Sequence, residues 1–352
     1  MEALDKIVGR MDRWQQRARP VAVMYAVVKK FGDDQANQLV VALGWYGFTA
    51  IYPLLLVVVT IFGFIGARSL GTGIVSTLHE FPVVGTQFNP AHGSKNLHGN
   101  VVGLFIGILV LIYGAQGVTQ TAQQAMARVW NVPKLDRPGF LPRLGRSLIS
   151  LTIVGGCFLA NAALAALATG SGQATGSGHA NSIRVLVIIG MLVINVLLFA
   201  AAFRVLTPPS VGTRVLFPGA LLGAVGFTLL ITLGAGLVQH QLRNSSNTYG
   251  QFGIVIGLVG FLLLLAKISL YAAELNPVWA RHLWPRSLQA NRLTDADARV
   301  LRDVTLDNRR RHDEQIQVSF ETITPDTVQR ASEARPGNRP PSEPGRESHP
   351  LP

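Results

Sequence analysis

The chain has 352 residues and a formal net charge of +12, from 31 Lys plus Arg against 19 Asp plus Glu, yet only 14% of its residues are charged. A soluble domain of average composition carries about 25%. Charge-free windows of membrane-spanning length recur along the chain, which excludes a soluble multidomain fold. The positive surplus would suit nucleic-acid binding only if it were concentrated. It is instead spread over the segments, with its largest share, +4, in the loop around Arg128 and Arg146.

Residues 1–38 mix Lys, Arg, Asp and Glu ahead of the first long apolar run, a pattern unlike a cleavable signal. Met24, Val27, Val28 and Phe31 fall on one helical face near Arg17, Arg19, Lys29 and Lys30. That pattern fits a helix lying along the inner membrane surface and, equally, a short helix packed on the bundle. Asp33 and Asp34 suit the start of the first membrane helix, where carboxylates favour the dipole.

No Asp, Glu, Lys or Arg occurs in 35–67, 96–127, 147–183, 185–203, 215–242 or 244–266. Each window can cross a hydrocarbon core of about 30 Å, and only as a helix, because lipid satisfies no open backbone group. The expected fold is therefore all-α: a polytopic integral membrane protein with six transmembrane helices at about 39–66, 101–124, 147–168, 185–206, 216–238 and 252–275. Three regions follow: a cytoplasmic amphipathic segment (1–38), a six-helix domain (39–275) and a cytoplasmic tail (276–352). The tail begins with an arginine-rich helical stretch over 292–311 and is expected to be disordered after about 324. Cys157, the single cysteine, lies in the third span and packs as a small hydrophobe, so no intramolecular disulfide forms.

Basic residues set the orientation, because Lys and Arg near membrane spans stay cytoplasmic. With both termini inside, the inner segments hold 26 of the 31 basic residues, while Arg68, Lys95, Arg184 and Arg243 lie outside and Lys267 sits within a span. The expectation is N-in and C-in.

Polar side chains at membrane depth are the candidates for function. In the second span Tyr113, Gln116, Gln120, Gln123, Gln124 and Arg128 recur at helical spacing, either as the wall of a hydrated cavity or as interhelical hydrogen-bonding groups. In the sixth, Lys267, Tyr271 and Glu274 share a face, with Lys267 either snorkelling to the interface or contacting a substrate headgroup. Glycine pairs Gly103/Gly107, Gly219/Gly223 and Gly253/Gly257 predict close helix packing, and Pro53 predicts a kink in the first span.

Several local strings resemble the YihY/BrkB family, its YhjD branch included. They are Lys29-Lys30-Phe31 through Asp33-Asp34, Ala42-Leu43-Gly44-Trp45-Tyr46, Tyr52-Pro53-Leu54-Leu55, Arg128-Val129-Trp130-Asn131, Phe203 to Pro208, Pro218 to Gly223, Tyr249-Gly250 and Ala272 to Asn276. The resemblance covers about 20–282. It implies a bacterial inner-membrane protein tied to envelope integrity and exporting lipids or other solutes, and it adds Tyr46, Pro53, Tyr249 and Asn276 to the candidate lining. Gly44-Trp45 and Lys267 depart from the family's usual residues.

The same family long carried the name ribonuclease BN. Metal-assisted hydrolysis needs clustered carboxylates or histidines. Between the termini the acids are Glu80, Asp136 and Glu274, the histidines lack paired ligand spacing, with His79, His92 and His98 of one outer loop as a weak metal alternative, and no phosphate-binding loop occurs. The chain is accordingly read as a non-enzyme without cofactor or metal. Its expected role is moving a lipid or other amphipathic solute, with cation/proton exchange through Glu274 or a non-transporting scaffold as alternatives. Expected partners are membrane lipids, anionic ones near the 125–146 loop, and other copies of the chain, but not nucleic acid.

Overall fold

The computed structural model describes residues 2–65, 101–133, parts of 139–161, 180–207, 211–245, 250–289 and 293–320 except 310 and 312. Among the described residues the secondary structure is helical, without strands. Two amphipathic helices, α1 (Glu2–Arg17) and α2 (Arg19–Asp33), precede the long apolar helix α3 (Ala36–Ile65). Then come α4 (Val101–Val129), α5 (Ala180–Leu206), α6 (Phe217–Ser245) and α7 (Gly250–Ala280). A short helix, α8 (Asp295–Asp307), is the last helix among the described residues. Of the expected third span, residues 147–150, 152–157 and 160–161 are helical, while the remainder lies outside the described residues. Three helical stretches, Ile188–Leu206, Thr213–Ile231 and Ile256–Ala280, are long and apolar enough to cross a membrane among the described residues.

The ends of these helices are written locally. Pro20 sits in the first turn of α2, where its missing N–H removes nothing. Gln35, Asn131 and His282 adopt left-handed φ values of 51°, 51° and 49° and turn the chain after α2, α4 and α7. At α8 the Thr294 hydroxyl accepts from the Asp297 N–H and the Asp297 carboxylate accepts from the Thr294 N–H, a reciprocal cap.

Helix α7 runs between α3, α6 and α2, while α3 also packs on α4 and α5 on α6. The contacts use small residues: Ala220 and Ala224 of α6 meet Ala272 and Ala273 of α7 beside Phe199, Phe203, Met126 and Trp130. Large apolar side chains point the other way. Leu186, Ile189, Val193 and Leu197 form an exposed stripe along α5, and Leu221, Val225 and Leu229 form another along α6. Small residues inside and bulky apolar ones outside are what a helix bundle solvated by lipid requires.

The N-terminal helices pack on the bundle. Val23, Ala26 and Val27 of α2 close over Val278 of α7. Only half of the expected apolar face is used, since Val27 and Phe31 are buried while Met24 and Val28 are exposed. Asp33 and Asp34 do not serve the start of α3: Asp33 is the last residue of α2 and Asp34 its C-cap. The tail returns to the same place. Leu288 N–H donates to Asp12 of α1 at 2.9 Å, and α8 lies against α2.

Candidate functional site

The chain buries a full charge cluster at the joint of α2, α4 and α7. Lys30, at the end of α2, has no exposed surface, and neither does Glu274 of α7. The Lys30 ammonium donates to Asp34 Oδ2 at 2.5 Å, to Glu274 Oε2 at 2.9 Å and to the Val129 carbonyl at 2.8 Å. All three of its protons are used. The Asp34 pairing is the ordinary i, i+4 neighbour on a helix, whereas Glu274 is brought in by the packing of α7. The carbonyl belongs to the last turn of α4, whose partial negative charge favours a cation. Burial works against the Lys30 charge, but Glu274 and Asp34 outweigh it and hold the ammonium above the usual lysine range.

At the rim, Arg128 donates Nη1 to the Asp34 backbone carbonyl at 3.4 Å and stays half-exposed. Arg281 caps the neighbouring carbonyl of Trp130 at 3.1 Å while its guanidinium lies over the Trp130 ring, 5.6 Å from the centroid.

A second ionic joint fastens the tail. Arg286, 1% exposed, places Nε 2.7 Å from Asp297 Oδ1 and Nη2 2.7 Å from Asp33 Oδ2. Lys29 lies 2.9 Å from Asp297 and donates to the Ser287 carbonyl at 2.6 Å. Burial pushes the Asp297 carboxyl up, but the Ser287 N–H, Lys29, Arg286 and Thr294 outweigh it and hold it at about 2. An unfolded aspartate titrates near about 3.9. Between those values the unfolded chain binds more protons, so the joint's contribution is complete above the ordinary carboxylate range and is lost as pH falls toward 2. Thermal melting should fall across that acid window, and Asp297→Asn should flatten this part of the profile.

The expected candidates separate into groups. Tyr271 is half-buried and stacks on Phe31, with ring centroids 4.1 Å apart. Lys267 is exposed, so the shared face of Lys267 and Glu274 does not bring them into one environment, because α2 covers only the end of α7 that carries Glu274. The partner of Glu274 is Lys30, not Lys267. Asn276 is buried and accepts the Gly219 N–H at 2.8 Å, clamping α6 to α7. On α4, Gln116, Gln120 and Arg128 are half-exposed, Gln124 is exposed and Gln123 is buried. Tyr46 of α3 lies against this stripe: a Cβ on Gly117 would fall 2.5 Å from the Tyr46 ring. Tyr249, the His79–His98 loop, and the side chains of Pro53 and Tyr113 lie outside the described residues. So do the pairs Gly103/Gly107 and Gly253/Gly257 as packing contacts.

A polar chain also links Asn161 to α5 and α6. Asn161 donates to Asn195 at 3.3 Å, Asn195 donates to Thr228 at 3.3 Å, and Thr228 returns its proton to the Ala224 carbonyl. The sequence reading missed Lys30, Asp34, Arg286 and Asp297 as site residues. For Lys30 and Asp34 the i, i+4 spacing was visible, and for Asp297 the Thr294-x-x-Asp297 cap.

The sequence profile of the family described as "Virulence factor BrkB" matches residues 27–295. The chain belongs to the BrkB family. Its BrkB-family region thus includes α2 from Val27 on, Lys30, Asp34 and Glu274, and stops at the start of α8, so all three residues of the buried cluster lie inside it. A curated relative, "Inner membrane protein YhjD" of Escherichia coli (strain K12), is 25% identical over 293 residues, covering 77% of this chain and 85% of the relative. No solved structure matches. Together with the apolar helices, these similarities make this a BrkB-family inner-membrane protein.

Proposed function

We propose that this BrkB-family protein translocates a lipid or a related amphipathic solute across the inner membrane and performs no chemical step on it. The observation that carries the reading is the open polar stripe of α4. Gln116, Gln120, Gln124 and Arg128 are exposed or half-exposed on a helix whose other faces pack, with the Tyr46 ring alongside. Unpaired amides are costly against hydrocarbon. They suit a path where a polar headgroup slides while its acyl chains remain in lipid, with Arg128 at the end to attract an anionic headgroup. The six-span, N-in/C-in topology belongs to the same proposal: α1, α2 and α8 meet at one end of the bundle, as both flanks must if they share a side.

The purified protein reconstituted in vesicles should accelerate transbilayer movement of a fluorescent phosphatidylglycerol. Gln120→Leu and Arg128→Gln should each slow it about tenfold, the loss of about 1.4 kcal/mol of path stabilisation. No acceleration over protein-free vesicles would end the reading.

A scaffold that recruits partners through its tail would fail on deletion of 290–352. That deletion removes Asp297, the partner of buried Arg286, and would damage the fold itself. Truncation after residue 320 leaves both ionic joints intact and is the cleaner experiment, and transport should survive it.

A further inference from the structure

We propose that Lys30, Asp34 and Glu274 form a binding site for one proton, shared between the two carboxylates beneath the single ammonium. The geometry carries this. Two carboxylates converge on one cation at 2.5 and 2.9 Å, and Lys30 and Glu274 are fully enclosed while Asp34 is 3% exposed. One oxygen of each carboxylate, Asp34 Oδ1 and Glu274 Oε1, is buried without any hydrogen-bond partner. The α4 C-terminus adds a carbonyl, and with it more negative potential, to the same ammonium. Fully ionised, the cluster would hold an uncompensated negative charge out of water, the arrangement proteins avoid by taking up a proton.

The surrounding elements do not supply the missing positive charge. From α2, Lys29 and Asp33 turn to the Arg286–Asp297 joint instead. Helix α3 carries no charged residue, and α6 carries none in its described part near α7. On α7, Lys267 is exposed and Tyr271 is engaged with Phe31. Arg128 of α4 approaches the backbone carbonyl of Asp34 rather than a carboxylate, and its half-exposed guanidinium is screened by solvent. A metal ion does not fit the same place. The Lys30 Nζ occupies the point between the carboxylates, and no group of three or more His, Cys, Asp or Glu is gathered for a metal among the described residues.

The proton balance is simple. In the unfolded chain at neutral pH both carboxyls are ionised and Lys30 is charged, so folding takes up one proton. The unfolded state then binds fewer protons than the native one, and stability falls as pH rises through the cluster's titration, by up to tenfold in the folding constant per pH unit. The site joins α2, α4 and α7, so losing the proton loads that joint with repulsion. None of this depends on which solute the protein carries.

The test is infrared difference spectroscopy of the full chain in nanodiscs, titrated upward from neutral pH in sodium-containing and sodium-free buffer. A protonated-carboxyl carbonyl band is expected at neutral pH in both buffers, disappearing as the thermal stability falls. In Asp34→Asn and in Glu274→Gln one carboxylate remains opposite Lys30, the pair is neutral, and the band should be absent from both. Absence of the band from the unsubstituted protein at neutral pH would overturn the proposal, as would its persistence in either variant or a dependence on sodium. Should the variants fail to fold, the unsubstituted protein alone decides: a band lost together with stability supports the site, and stability falling with no band overturns it.

Discussion

Lys30→Met should lower the stability of the folded protein by about 3–5 kcal/mol, the cost of leaving buried carboxylates without their cation. The substitution preserves length and apolar stem, so the loss reports the ammonium. It strands Asp34 and Glu274, and it uncaps the Val129 carbonyl at the end of α4. Because the two remaining carboxyls can stay buried only as acids, the deficit should widen with rising pH. Glu274→Gln is expected to be much milder, since Lys30 keeps Asp34 and Val129. The triple variant Lys30→Met, Asp34→Leu, Glu274→Met removes every charge and should recover much of the loss, because well-packed hydrophobic residues of similar volume often replace a buried ion pair at little cost. Thermal melting of the four proteins in one detergent distinguishes these outcomes. Equal melting of Lys30→Met and the unsubstituted protein would mean that the cluster is not closed to water.

The long apolar helices were legible because hydrocarbon imposes one rule on any segment that is to cross it: no charge and enough length. The expected 39–66, 101–124 and 252–275 compare with Ala36–Ile65, Val101–Val129 and Gly250–Ala280. The difference at Val129 has a cause. There α4 continues past the apolar run because Lys30 and Arg281 take up carbonyls of the 129–130 turn that water would otherwise satisfy. What could not be read was the pairing of Lys30 with Glu274, 244 residues away, which depends on how α2 crosses α7. Periodicity places both residues on helices but not on facing surfaces. Lys30 looked like one more cation beside a membrane, and Lys267, seven positions from Glu274, looked like the nearer partner. Burial reversed the two, since α2 covers Glu274 and leaves Lys267 open. The docking of the tail was hidden for the same reason: Asp297 and Arg286 matter to the fold only because the tail returns to α1 and α2.

Gly219→Ala should be nearly as damaging, through backbone contact rather than charge. A Cβ at Gly219 would lie 2.2 Å from the Ala272 carbonyl oxygen and 2.5 Å from both side-chain polar atoms of Asn276. The obstruction is main chain of a packed helix, so relief requires α6 and α7 to part. Overpacking of this kind costs about 1–3 kcal/mol. Parting the helices also breaks the Gly219 N–H bond to Asn276 Oδ1, leaving a buried acceptor unmatched for about 1 kcal/mol or more. The neighbouring Gly223 serves a different contact, the Phe199 ring of α5, so the pair four residues apart holds α6 against two helices at once. Gly223→Ala should therefore loosen α5 while leaving the α7 clamp intact. Gly260, on α7, meets nothing within 4 Å, and Gly260→Ala should be neutral or slightly stabilising, since alanine is the better helix former by about 1 kcal/mol. Melting and monodispersity of the three alanine variants in the same detergent test the order. If Gly219→Ala melts with Gly260→Ala, the close approach of α6 to α7 is not present in the protein.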